Sequence, residues 1–177
     1  WHGMSRTGTV ARLFNLDDEP LLSMHPADLS QRGLTTGDLA TVDSRRGSIV
    51  IRVRGDGGLE PGRAWLPMHW GSQFMNSAGV NALTLSATDP YSFQPELKHA
   101  AVAVARAALP WQLVVLRKTG LGESSAHALL ARARTLLGEF AFASVGLYGR
   151  GEPLVVFRAA HAHPLPETRL QEIDTLF

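Results

Sequence analysis

"LTTGDLATVDSRRGSIVIRVR" (Leu34–Arg54) decides the fold. It contains two β-branched runs, "LATVDS" and "SIVIRVR", joined by "RRG". Apolar or β-branched residues recur at Leu39 and Thr41, then at Ile49, Ile51 and Val53, which is the period of a strand with one covered face. Working outward, "LLSMHPADLSQRG" carries a short helix, with Pro26 suited to its first position and Gly33 to the left-handed residue that ends it. Downstream, "GDGGLEPG" is a turn by its Gly and Pro content. "RAWLPMHW" reads as a further strand, whose end Pro67 demotes to an edge or an exit. "AAVAVARA" closes the unit as a last strand. The expectation is a mainly β module of roughly a hundred residues with one or two small helices, arranged as a barrel.

Beyond Arg106 the pattern changes. "WQLVVLRK" is apolar on both faces, as a buried strand would be. "SSAHALLARARTLLGEF" places Leu129, Leu130, Ala133, Leu136, Leu137 and Phe140 on one helical stripe, with Ser124 or Ser125 available as a cap. "FASVGLYGRG" and "PLVVFRAA" supply two more strands before a Pro- and His-containing tail. Residues 107–177 are therefore expected to form a separate β-α-β-β appendage.

Composition narrows the function. The 177 residues are 45% hydrophobic and 19% charged with a formal net charge of +1, ordinary for a globular protein. That balance gives no electrostatic reason to expect a nucleic-acid partner. No apolar run reaches the ~20 residues that span a bilayer, so no membrane partner is expected. There is no cysteine, so disulfides, thiolate zinc sites and iron–sulfur clusters are excluded from this chain. The chain opens at Trp1 without Met and reads as a piece of a longer polypeptide.

Three segments carry groups suited to chemistry. The opening "WHGMSRTGTV" (Trp1–Val10) offers glycine N–H groups, the Ser5 and Thr7 hydroxyls and the Arg6 guanidinium, a set that suits phosphate oxygens and equally fits a polar terminus. "PMHW" puts His69 and Trp70 at a strand exit, where side chains often line a site; a core Trp beside a surface His reads as well. "VNALTLSATDPYSFQPELKH" (Val80–His99) is a long irregular run, and such loops are usually functional or disordered. Its Leu83, Leu85, Tyr91, Phe93 and Leu97 argue for order. Asn81 can donate and accept at once, as a heterocycle edge requires, and Lys98 is a point charge for an anion. Asn81 and Asp89 can also simply make backbone turns.

Other signals are weaker. "TGLGESS" has a Gly-x-Gly between strand and helix but lacks the third glycine and the later acidic residue of a nicotinamide or flavin site. His161 and His163 alternate on a strand without a suitably spaced third ligand. "SRRGS" (Ser44–Ser48) reads as a solvated basic turn.

The segments "WHGMSRTG", "MHPADLSQRGLTTGDLATVDSRRGSIVIRV", "PMHW" and "NALTLSATDPYSFQPELKHAAVAV" occur in this order. Together they resemble the molybdopterin-dinucleotide-binding C-terminal domain of the dimethyl sulfoxide reductase family, most closely the catalytic subunits of bacterial assimilatory nitrate reductases. The resemblance covers roughly residues 1–106 and rests on four separated motifs. It implies a double-psi β-barrel that contacts molybdenum-bis(molybdopterin guanine dinucleotide), and residues 1–106 are expected to close it with six or seven strands. It also implies a cytoplasmic enzyme reducing nitrate to nitrite, whose other partners are the N-terminal domains of the same polypeptide and an electron donor protein or domain. Any iron–sulfur cluster belongs to domains absent here. Carried over by residue, His2, Gly3, Met4, Ser5, Arg6 and Thr7 stand in the cofactor loop. Gly3 replaces the Thr usual in assimilatory relatives and offers only its N–H. His69 and Trp70 stand at the strand exit, and Asn81 and Lys98 are the Asn and Lys that contact the dinucleotide. No catalytic residue and no metal ligand is expected in this chain. The competing readings are a formate dehydrogenase-like or other molybdenum oxidoreductase, and a β-barrel recognition module that binds a protein without cofactor.

Overall fold

The computed structural model describes residues 7–10, 17, 19–76, 78–96, 99–119, 123–149 and 152–177. Within it, the Leu34–Arg54 stretch folds as the expected hairpin. β2 (Leu39–Asp43) runs antiparallel to β3 (Ser48–Gly55), with Val42 opposite Ile49 and Ala40 opposite Ile51. Ser44 closes the turn: its N–H donates to the Gly47 carbonyl at 2.9 Å, and its hydroxyl accepts from the Arg46 N–H at 3.0 Å, the local side-chain turn that Ser favours. Ile49, Ile51 and Val53 are buried in one core, as their spacing predicts. On β2 the phase is the reverse of that expected. Ala40 and Val42 enter this core, Thr41 is half-exposed, and Leu39 points to a second cluster with Phe142 and Ala160. Small or polar residues at alternate positions give the pleat no strong marker, and a one-residue slip exchanges the faces.

The rest of the first sheet is laid around this hairpin in the order β4-β1-β3-β2-β5. β1 (Leu21–Met24) pairs parallel with β3, β4 (Ala64–Trp65) pairs antiparallel with β1, and β5 (Ala103–Arg106) pairs antiparallel with β2. β1 lies in a run expected to supply only a helix; its Leu22 and Met24 belong to the core instead. α1 (Pro26–Gln31) follows at once. The His25 ring accepts from the Ala27 N–H, Pro26 takes the first turn, and Gly33 is left-handed at φ 63°, as expected for such ends. "RAWLPMHW" pairs only through Ala64 and Trp65, stopping before Pro67. The unit is mainly β and its sheet curls, with five strands among the described residues rather than six or seven.

The second unit follows the expected strand and helix order. β6 (Trp111–Lys118), α2 (Glu123–Thr135), β7 (Phe142–Tyr148) and β8 (Leu154–His161) form a three-stranded antiparallel sheet, β6-β8-β7, with α2 packed on one face. The whole predicted stripe, Leu129 to Phe140, is buried. Ser124 and Ser125 lie inside α2, which begins at Glu123, so neither is its cap. Two further expectations are corrected. β6 is an edge strand with Val114 and Leu116 exposed: it pairs only with β8 among the described strands, and the cluster on that face gathers at Leu39, Phe142 and Ala160. The Pro- and His-containing tail ends in a helix that was not foreseen: α3 (Glu167–Leu176) buries Ile173, and the Phe177 ring lies against Phe157 at 5.8 Å between centroids, planes tilted by 49°.

The units are stitched together rather than merely adjacent. Arg52 of β3 donates to Glu19 (3.0 Å) and to Gln112 (3.1 Å), and its guanidinium lies 5.7 Å from the Phe142 ring centroid. Met75 forms an isolated antiparallel bridge with Ser144 of β7. No helix among the described residues is long and apolar enough to cross a membrane.

Candidate functional site

Between β4 and the Val80–Leu83 turn lies a cleft of about 590 Å³, within the size of small-molecule and cofactor sites. One wall is the exit of β4, Trp65 to Trp70; the other is Val80 to Thr84, and His99 to Val102 contribute to the rim. Its floor is the core itself, through Leu22 and Val42.

The two walls are held together by backbone. The Val80 N–H donates to the Trp70 carbonyl at 3.0 Å. Gly79 permits this approach: its φ is +74°, and a Cβ there would stand 2.4 Å from the Trp70 carbonyl oxygen and 2.7 Å from Gly71 Cα. No other residue fits without moving main chain. The 3₁₀ turn Val80–Leu83 then buries Val80 and Leu83 and leaves Asn81 on the open side. Gly47 of the hairpin tip supports it from behind, where a Cβ would lie 2.9 Å from the Ala82 carbonyl oxygen, and Arg46 donates to the Ser86 hydroxyl at 2.9 Å. The "SRRGS" tip is therefore a buttress for this wall, not a free solvated turn. Gly47, Gly79 and Arg46 were missed from sequence; only the glycines carried a signal, and it read as ordinary turn chemistry.

Three expected site residues meet here. Trp70 is buried and sets its ring edge-on to Phe74, centroids 6.5 Å apart and planes at 87°; it is both core residue and cleft wall. His69 is half-buried on the same wall. The Asn81 carbonyl accepts from the Thr84 hydroxyl (3.0 Å) and N–H (3.3 Å), while its side-chain amide makes no hydrogen bond among the described residues. Of the two local-turn candidates, Asp89 is the one whose side chain makes a turn. Its Oδ1 accepts from Ser92 N–H (2.8 Å), the Ser92 hydroxyl (2.9 Å) and Tyr91 N–H (3.0 Å). These hydrogen bonds hold its carboxyl below the ordinary Asp range, the Ser92 N–H contributing most. Apolar burial orders only the start of this loop, through Val80 and Leu83; beyond Thr84 order comes from Asp89 and the Thr88–Pro95 bridge, since Leu85, Tyr91 and Phe93 are exposed.

The remaining expectations fall elsewhere. His2, Gly3, Met4, Ser5, Arg6, Leu97, Lys98 and the Gly-x-Gly at 120–122 lie outside the described residues. Thr7 opens a short 3₁₀ turn, Thr7–Thr9, at the second unit, where His127 Nε2 donates to the Thr9 carbonyl at 2.6 Å. Among the described residues no group of three metal-ligating side chains occurs, and the His161 ring accepts from the His163 N–H at 3.1 Å.

The cleft's chemistry favours a flat heterocycle. Leu66, Pro67, Trp70, Val80 and Leu83 offer apolar faces, and Asn81 offers a donor and an acceptor side by side. The described lining holds no Lys or Arg, and its one carboxylate, Asp17, is paired with Arg54 at 2.9 Å. These walls suit the base or pterin portion of a dinucleotide; phosphates would need cations from other positions.

Comparison with known proteins identifies the family. The chain is 43% identical over 112 residues to a nitrate reductase of Klebsiella oxytoca, an alignment covering 63% of this chain and 13% of that protein. An acetylene hydratase structure from Pelobacter acetylenicus aligns with a TM-score of 0.48 at 16% identity, over 58% of this chain and 16% of that one. Residues 1–101 match the Molydopterin dinucleotide binding domain, and with that match spanning both cleft walls, the chain belongs to this family.

Proposed function

We propose that the chain is the cofactor-binding part of a molybdenum oxidoreductase, a nitrate reductase that converts nitrate to nitrite in the cytoplasm. The observation that carries the reading is the Asn81 amide, unpaired among the described residues and fixed on the cleft wall by Gly79, in a chain of the dinucleotide-binding family. Residues 1–106 hold one end of a molybdopterin guanine dinucleotide within a double-psi barrel. Asn81 reads the heterocycle edge, Trp70 and His69 form the wall beside it, and Lys98 with the His2–Thr7 loop supplies the phosphate contacts. Residues 107–177 form the appendage. When bound, the molybdenum cofactor supplies the two-electron chemistry; this chain supplies orientation and electrostatics. The rest of the polypeptide, including any iron–sulfur cluster, and an electron donor complete the enzyme. The nitrate assignment is supported by the Klebsiella oxytoca relative and by the four ordered motifs.

The test compares the whole enzyme with its Asn81→Ala and Lys98→Ala forms by molybdenum and guanine content after dialysis. Asn81→Ala is expected to remove one or two neutral hydrogen bonds of about 0.5–1.5 kcal/mol each. Lys98→Ala removes a charge-assisted one of about 1.5–3 kcal/mol. The 177-residue chain alone is expected to be isolated without molybdenum. Full retention of cofactor in both variants would overturn the reading.

A further inference from the structure

The second unit has no role in the cofactor reading, yet it grips the segment that leaves the cleft wall. Directly after Trp70, residues 71–76 run onto the free edge of β7. The Val145 N–H donates to the Phe74 carbonyl (2.8 Å), the Asn76 N–H donates to the Ala143 carbonyl (3.0 Å), and Met75 bridges Ser144. The Asn76 amide also donates to the carbonyls of Ala141 (2.8 Å) and Phe140 (3.2 Å). From the last turn of α2, Arg134 Nε donates to the Gln73 carbonyl at 2.8 Å, with the guanidinium 5.1 Å from the Phe74 ring centroid. Phe74 is in turn the ring against which Trp70 sets its edge.

The composition of this seam is not what stability alone would select. Arg134 is partly buried, and burial disfavours its charged form; no carboxylate pairs with it among the described residues. Its Nη2, together with Asn76 Oδ1 and Ser144 Oγ, is buried without a hydrogen-bond partner among the described residues. Apolar residues of similar volume often stabilise such a site as well or better. A planar guanidinium, however, fixes a ring and a carbonyl at once in one geometry.

We infer that the second unit braces the cofactor cleft, with Arg134 as a positioning residue that sets Trp70 through Phe74. The inference rests on reading the cleft as the cofactor site. The chain of contacts is short: Arg134 holds Gln73 and Phe74, Phe74 holds Trp70, and the Trp70 carbonyl holds Val80 and with it Asn81. Arg134 does not line the cleft, so its effect reaches the site through wall geometry.

Amide hydrogen exchange on the 177-residue chain tests the brace, with Arg134→Ala, Arg134→Lys and, as a core control, Leu136→Ala. Exchange of the Val80 N–H is expected to rise about tenfold in Arg134→Ala, the factor for the roughly 1.4 kcal/mol that one hydrogen bond and one cation–π contact supply. Arg134→Lys keeps the charge over the ring and should recover part of that protection. Leu136→Ala should accelerate Val80 no more than its loss of global stability requires. In the whole enzyme, Arg134→Ala should release molybdenum faster on dialysis, again partly rescued by Lys. Unchanged Val80 exchange in Arg134→Ala overturns the brace. Faster Val80 exchange, with neither Arg134→Ala nor Asn81→Ala loosening the cofactor, overturns the assignment of the cleft instead.

Discussion

Asp38 shows how much one side chain can tie together. Its Oδ2 accepts from the Thr35 N–H (2.7 Å), the Thr35 hydroxyl (2.9 Å) and the Arg106 guanidinium (2.7 Å), linking the turn before β2 to the end of β5. Its carboxyl is held below the ordinary Asp range, chiefly by the Thr35 N–H, then by the Thr35 hydroxyl and Arg106. A depressed folded pKa contributes stability above the unfolded value of about 3.9 and loses it as pH falls through the folded value. The urea midpoint of the native chain minus that of Asp38→Asn should therefore be constant above pH ~5 and shrink below pH ~4. A difference that stays flat down to pH ~2.5 would show that Asp38 acts without its charge. At this scale the site was partly legible. Asn81 could be singled out because its side chain had two roles to offer, and among the described residues its turn is made by the backbone carbonyl, with no hydrogen bond from the side-chain amide. The positions of Gly47 and Gly79 were not legible, because a close approach between distant segments leaves no trace in the local residues.

Among the elements, α2 and β6 give opposite answers to the same kind of sequence. The Leu129–Phe140 stripe repeats at helical spacing, so Leu136, the first residue past the end of α2, had one place to go, and it is buried at 1% exposure. Truncating it to Ala should cost about 2–5 kcal/mol in a denaturation experiment, as for a buried Leu. "WQLVVLRK" is as apolar locally, yet Leu116 is 62% exposed. Leu116→Thr should stay within about 0.5 kcal/mol, as surface substitutions do. Equal costs for the two would mean that β6 is covered. The difference lies in what packs on each element. A helix carries its own polar and apolar faces, whereas the burial of a strand's second face depends on a neighbour supplied by another part of the chain. For the same reason α3 escaped detection: "ETRLQEIDTL" buries only Ile173, too few apolar positions to declare a face.

For the molecule as a whole, the mainly β character and the change of pattern after Arg106 could be read from hydrophobic period alone. How the units sit together could not. Leu39, Phe142 and Ala160 come from three strands in two sheets, and Arg52 reaches Glu19, Gln112 and Phe142 at once. No local rule specifies such meetings. The strand order was equally hidden, and it has a consequence in time. β3 is flanked by β2, its hairpin neighbour, and by β1, a parallel partner reached only after α1 and β2 have been threaded between them. Closing the hairpin orders a short turn, whereas docking β1 or β5 must first overcome the entropy of much longer loops. Refolding should therefore pass a barrier at which the hairpin exists and its flanks do not, with φ-values high at Ile51 and near zero at Leu22. The reverse ranking would mean that β1 nucleates the sheet. Until β1 docks, the apolar edge of β3 stands open to any other strand, so the slowest step of folding is also the interval in which this chain is most prone to pair with a copy of itself.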